Sequence, residues 1–415
     1  MPGIDDKDEL GATIAALAAQ ATDAPAVFAL VAGVIQLGQL EFSPASDGEA
    51  STIASGSTAA LGAAAAVFGV PAATLGQALT TRVRELPGGG TTTSTNSPSE
   101  AKSLTDALAK SIYSELFDWL VFKANECFEA AADPTSPGGS HFIGVLDIFG
   151  FEDMAINGFE QLFINTTNEQ LQKVFNDIIF KEEEAEYTRE QIDWDKTVFP
   201  DNTPCIQLLA KKPEGLMRIM DSECSRGAAA SDGAGLVAKF NRAHGKHGSY
   251  KVCGPASVYR RKTGARSEDE DFIIDHFAGS IMYTVTEFVP KNRDALYGHV
   301  HDVLSGSSAP LLKTLFPPRT PASDASAAKM TIANRFLGQL SGLISILRET
   351  ETRFVRTIKT NSNFQPQEMD KPSCLRQLVC SGVMAALEVC YTRTTCARRF
   401  GFMFCFVCRA MLAFS

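Results

Sequence analysis

The chain has 415 residues, 45% of them hydrophobic and 21% charged, and a formal net charge of −10. This is the composition of a globular protein with room for two or three domains, and its acidic excess argues against a general nucleic-acid binder. Ten cysteines scattered over this length are not a small secreted disulfide framework and read as reduced thiols of a cytoplasmic protein.

Residues 1–23 are unassigned, and their acids (Asp5, Asp6, Asp8, Glu9) do not form the basic start of a secretory signal. Residues 9–40 are helical by their apolar spacing. The uncharged run 24–40 approaches the length of a membrane span, but Gln36, Gln39 and its Ala/Gly content read as a buried core helix, so no span is expected. Residues 43–66 read as a loop entering an alanine-rich helix. A flexible break, PGGGTTTSTNSPS, covers 87–99, and a helix starting near Ser99 carries Leu108, Ile112, Leu116, Phe117, Leu120 and Val121 at helical spacing. After a loop at 132–140, residues 142–149 predict a buried strand. Residues 159–187 predict a long amphipathic helix with Phe159, Leu162, Phe163, Leu171, Val174, Phe175, Ile178 and Ile179 on one face. Residues 253–270 read as a surface loop, 272–277 and 281–285 as paired strands, and 317–328 as another loop. A helix over 331–350, a strand over 354–358 and a helix over 373–389 complete the reading. Cys405 and Cys408 have no second cysteine pair or histidine cluster to complete a metal site.

The most informative stretch is FIGVLDIFGFEDMAINGFEQLF at 142–163. An apolar run ends on Asp147, Gly150 follows three residues later, then Glu152, then a helix. A strand that delivers a carboxylate, followed by a glycine with a free N–H, is how an NTPase senses a terminal phosphate. No G-x-x-x-x-G-K-[ST] phosphate loop occurs in the chain; Gly62 and Gly88-Gly89-Gly90 have no Lys-Ser or Lys-Thr beside them.

DIFGFE with NTTNEQLQKVFN behind it resembles switch II and the relay helix of the myosin motor domain. The resemblance continues through VFALVAGVIQLGQLEF (27–42), DALAKSIYSELFDWLV (106–121), DNTPCIQLLAKKPEGLMRIMDSEC (201–224), FIIDHFAGSIMYTVTEFVPKNRDAL (272–296), RFVRTIKTN (353–361) and LRQLVCSGVMAALEV (375–389), covering about 24–391. It implies an α/β fold related to the P-loop NTPases, with helices around a mixed central sheet that is incomplete here. It divides the chain into an upper-domain-like segment (24–140), the switch II strand and relay helix (141–200), a lower actin-facing domain (201–330), and an actin-binding helix, core strand and reactive-thiol helix (331–391). The tail 392–415 resembles no part of the family, and neither switch I nor a converter is recognisable.

The resemblance also implies roles. Asp147 holds Mg²⁺ through a water, the Gly150 N–H bonds the terminal phosphate of ATP, and Glu152 pairs with a switch I arginine. Lys291, Arg293, Arg319, Lys329, Leu337, Leu340, Leu343, Ile344 and Leu347 are the expected contacts with actin filaments. Phe159, Phe163, Asn168, Phe175, Cys380 and Cys390 are expected in force transmission. ATP and Mg²⁺ are expected as cofactors only where a longer chain supplies the phosphate loop and switch I, with light chains or calmodulin on a neck outside these residues. The function implied is part of an actin-based motor of the cytoplasm and actin cytoskeleton; the alternative is a truncated, non-catalytic actin-binding or regulatory remnant.

Overall fold

The computed structural model describes residues 5–20, 22–45, 50–85, 90–131, 142–191, 201–224, 233–253, 270–292, 296–320 and 331–382. Arg293, Lys329, Cys390 and the tail 392–415 lie outside them. The chain divides into two compact units, Met1–Gly144 with Asp294–Met330 and Val145–Arg293 with Thr331–Ser415. Residues 296–320 thus pack with the N-terminal segment, although they follow the second unit's hairpin in sequence.

The first unit is mainly helical. Its elements are α1 (Asp6–Ala19), α2 (Ala24–Gly38), the short strands β1 (Phe42–Pro44) and β2 (Ser51–Ile53), α3 (Thr58–Val67), α4 (Ala72–Thr80), the hairpin β3 (Thr81–Glu85) and β4 (Thr91–Thr95), and α5 (Pro98–Ala131). The helices α11 (Gly298–Ser305) and α12 (Pro310–Leu315) complete it. Leu30 and Leu37 of α2, Leu61 and Ala64 of α3, Leu75 and Leu79 of α4, Leu108 and Ile112 of α5, and Leu304 and Leu312 of α11 and α12 share one core. Each buried leucine is worth about 1.5–3 kcal/mol of transfer free energy. Helix α5 begins with a capping box: the Ser97 N–H donates to Glu100 at 2.9 Å and the Glu100 N–H to the Ser97 hydroxyl at 3.3 Å. Its C-terminal half outruns the core, so Phe117, Val121, Phe122 and Phe128 are exposed. Among the described residues no single helix is long and apolar enough to cross a membrane.

The second unit is built on α6 (Phe159–Arg189) and the antiparallel sheet β5 (Tyr250–Val252), β6 (Asp271–His276) and β7 (Gly279–Thr284). Around them lie α7 (Thr203–Ala210), α8 (Leu216–Cys224), α9 (Gly233–His244), α10 (Phe288–Asn292), α13 (Ile332–Glu349) and α14 (Lys371–Cys380). Phe272 of β6 is the aromatic centre, edge-on to Phe240 at 5.3 Å and stacked on Tyr250 at 5.9 Å and Tyr283 at 5.5 Å. The β6–β7 turn closes on Gly279, whose φ of +133° is open to glycine and strained for any other residue.

The sheets differ from the expectation. The described strands pair only in small antiparallel sheets, and no mixed central sheet forms among them. Residues 142–149 and 354–358, read as strands, run without ladder partners. Ile143 is 97% and Val145 92% exposed, so the buried strand predicted there is not one. Apolar content does not make a strand; a neighbouring strand must take its N–H and C=O groups, and none does so among the described residues.

Candidate functional site: the 147–152 segment and the helix behind it

Asp147 and Gly150 lie on the exposed extended segment, and Glu152 is half-buried. Neither the Asp147 carboxylate nor the Gly150 N–H has a partner among the described residues. A Cβ added to Gly150 would meet nothing within 4 Å. The segment therefore offers one carboxylate oxygen set and one free peptide N–H to an outside group. That fits one water-mediated Mg²⁺ ligand and one phosphate donor, and no cation or hydroxyl among the described residues joins them there.

What fixes the segment is α6. The Asn165 side-chain oxygen accepts the Glu152 N–H at 2.8 Å, and its amide donates to the Glu152 carbonyl at 2.8 Å. One turn on, the Asn168 amide donates to the Phe149 carbonyl at 3.0 Å. Gln161 donates to the Glu152 carboxylate at 3.2 Å and accepts the Gly158 N–H at 2.9 Å, which caps the start of the helix. Asn157, buried at the segment's end, donates to the Met282 carbonyl at 3.1 Å, and the Thr284 N–H donates to the Asn157 carbonyl at 2.9 Å. The switch-like turn is thus stitched at one end to α6 and at the other to β7.

Helix α6 has two buried faces. The apolar one matches expectation at Phe159, Leu162, Phe163 and Val174. The other is polar: Asn165, Glu169, Gln172 and Asn176, spaced by four, three and four residues, are all buried. Glu169 receives His276 Nδ1 at 2.8 Å and Asn202 Nδ2 at 2.9 Å. Cys205 Sγ lies 3.7 Å from His276 Nδ1, and burial pushes its thiol pKa far up, so it stays protonated. Donor atoms of Glu169, Cys205 and His276 lie within 4.8 Å of one another, a spacing open to a cation. Glu169 and His276 already have hydrogen-bond partners in the protein. Sequence reading missed Asn165, Glu169, His276, Tyr283 and Asn202. The signal was the polar repeat in NTTNEQ, which an amphipathic reading assigns to solvent.

The remaining expected residues fall as follows. Phe175 is half-buried, edge-on to Phe354 at 4.9 Å, and Arg356 lies over both rings at 5.4 and 5.5 Å. Burial lowers the Arg356 pKa, and its Nε donates to the Ser381 carbonyl at 3.2 Å, beyond the end of α14. Cys380 is half-buried, and burial raises its thiol pKa. On α13, Leu340 and Ile344 are buried with Val174 of α6, while Leu337 and Leu347 pack against the cores. Leu343 is half-buried. Leu340 and Ile344 are therefore not free to touch a filament, because their apolar stripe holds α13 to its own unit. The outward face carries Gln339, Ser345, Ile346 and Arg348. Lys291 is paired with Glu160 at 2.8 Å and Glu287 at 3.2 Å, and Arg319 grips both oxygens of Asp302 at 2.8 and 2.9 Å.

Residues 1–409 match the family described as Myosin head (motor domain). The chain belongs to that family. It is 34% identical to Myosin-7 of Arabidopsis thaliana over 94% of this chain and 22% of that protein, and 34% identical to Myosin-17 of the same plant over 94% and 24%. It is 35% identical to the high molecular weight form of myosin-1 of Acanthamoeba castellanii over 90% of this chain and 23% of that protein. The chain spans about a quarter of the length of these relatives.

Proposed function

We propose that this chain is part of an actin-based cytoskeletal motor that couples ATP binding and hydrolysis to movement along actin filaments in the cytoplasm. Family membership supports the class, and one observation carries the site: Asn165 and Asn168 tie the peptides of Glu152 and Phe149 to successive turns of α6. A displacement of the 147–152 segment is thereby a displacement of that helix. Asp147 would hold Mg²⁺ through a water, and the Gly150 N–H would donate to the terminal phosphate. Mg²⁺, when bound, supplies the charge neutralisation that phosphoryl transfer needs. The phosphate loop and the arginine expected opposite Glu152 belong to a part of the motor outside these residues, as do any light chains or calmodulin on a neck.

Filament binding in this reading rests on the outward face of α13, with Arg293 and Lys329 as candidate cationic contacts. Lys291 and Arg319 contribute less, because each already has a carboxylate partner. The test is actin-activated ATP hydrolysis by a longer chain that contains these residues and a phosphate loop. Gly150→Ala should abolish hydrolysis while leaving the melting temperature unchanged. A longer chain that binds filaments but never hydrolyses ATP would instead support a non-catalytic remnant.

A further inference from the structure

A buried chain of hydrogen bonds runs from the Glu152 peptide into the sheet. The Asn165 amide gives one N–H to the Glu152 carbonyl and the other to the Tyr283 hydroxyl at 2.8 Å. The Tyr283 hydroxyl lies 2.9 Å from His276 Nε2, and His276 Nδ1 lies 2.8 Å from Glu169. The proton positions follow by elimination. Tyr283 is fully buried, and that burial raises its pKa well above the usual phenol value, so its hydroxyl keeps its proton. With the phenol oxygen accepting from Asn165, its proton goes to His276 Nε2. The imidazole proton then sits on Nδ1 and is donated to Glu169, which also accepts from Asn202 Nδ2 at 2.9 Å and the Phe277 N–H at 3.4 Å.

We infer that Tyr283 is a positioning residue: its hydroxyl joins the Glu152 peptide, through Asn165, to the β6–β7 hairpin and the buried Glu169–His276 pair. Its consequence for catalysis rests on the proposed nucleotide-sensing role of the 147–152 segment, whereas the structural joint does not. Glu152 is thereby positioned by the hairpin as well as by α6. A shift of either element reaches the same peptide.

Tyr283→Phe removes one hydroxyl and keeps the ring stacked on Phe272. In the 415-residue chain, amide hydrogen exchange at Glu152 should quicken about tenfold. The ladder amides of Asp275 and Val285 should keep their wild-type rates. In an Asn165→Ala background, Tyr283→Phe should add nothing at Glu152, since it acts through Asn165. Unchanged exchange at Glu152, loosening of the whole sheet in step, or additive effects would each overturn the inference. In a longer chain that hydrolyses ATP, Tyr283→Phe should lower kcat with KM little changed. If that chain hydrolyses nothing, the motor reading fails while the exchange result still decides the joint.

Discussion

The Glu169 side chain has no exposed surface, and His276 Nδ1, Asn202 Nδ2 and the Phe277 N–H all lie within hydrogen-bond distance of its oxygens. A buried polar group is tolerated only while its hydrogen bonds last. Glu169→Gln keeps the shape but turns an acceptor into a donor facing either His276 or Asn202. Urea unfolding should show a loss of about 2 kcal/mol, and Glu169→Ala a loss of about 3–5 kcal/mol, since it strands every partner. Asp275 behaves differently because it is partly exposed. Burial raises its pKa, but the ammonium of Lys251 at 2.7 Å and the Ser280 hydroxyl outweigh this, and the net shift is downward. A lowered carboxylate pKa contributes stability above the unfolded value of about 4 and loses it as pH falls through the folded pKa. Melting temperature should therefore drop between pH 5 and pH 3, with a shallower slope in Asp275→Asn; an identical slope would remove Asp275 from the account. None of this network was legible from local spacing. Glu169 and His276 stand 107 residues apart, so only the fold brings them together. Asp147, Gly150 and Glu152 could be proposed from the sequence because the motif that carries them spans six consecutive residues.

Helices and strands differed in legibility for a related reason. The 3.6-residue period is written within each helix, so the helices predicted over 159–187 and 331–350 appear at Phe159–Arg189 and Ile332–Glu349. A strand depends on a partner elsewhere: β6 and β7 found each other across a two-residue turn, whereas 142–149 and 354–358 found none among the described residues. The helix predicted over 373–389 is shorter in its described part, ending at Cys380, because Gly382 follows with a φ of +71°. A Cβ at Gly382 would also clash with the side chain of Gln172 on α6, so glycine is required for conformation and for contact alike. Gly382→Val should destabilise the second unit by about 2 kcal/mol or more, read as a lowered urea midpoint at constant slope. On α13 the inward stripe and the outward face make opposite predictions. Ile346, 51% exposed, is the large apolar residue that this face offers a partner. In the proposed motor reading, Ile346→Asp should weaken filament cosedimentation several-fold with no change in melting temperature, whereas Leu340→Ala should lower the melting temperature first.

At the scale of the whole chain, the run 142–149 sets the physical behaviour. Phe142, Ile143, Val145 and Phe149 are each more than two-thirds exposed, on backbone with no ladder partner. An extended apolar segment with unpaired N–H and C=O groups is a template for another strand. In the motor reading that strand comes from a part of the motor outside these residues; in the isolated chain the nearest supply is a second copy. Sedimentation velocity should therefore show species heavier than the 44.6 kDa chain, growing with concentration. Ile143→Lys with Val145→Lys should return the chain to a monomer, since two charges on one strand face oppose edge pairing and cost nothing where both side chains already meet water. A wild-type chain that stays monomeric and melts cooperatively at every concentration would show that its edge is closed by its own residues. In a longer chain that supplies the proposed neighbouring strand, the same substitutions should be destabilising instead, because each lysine would be forced out of water.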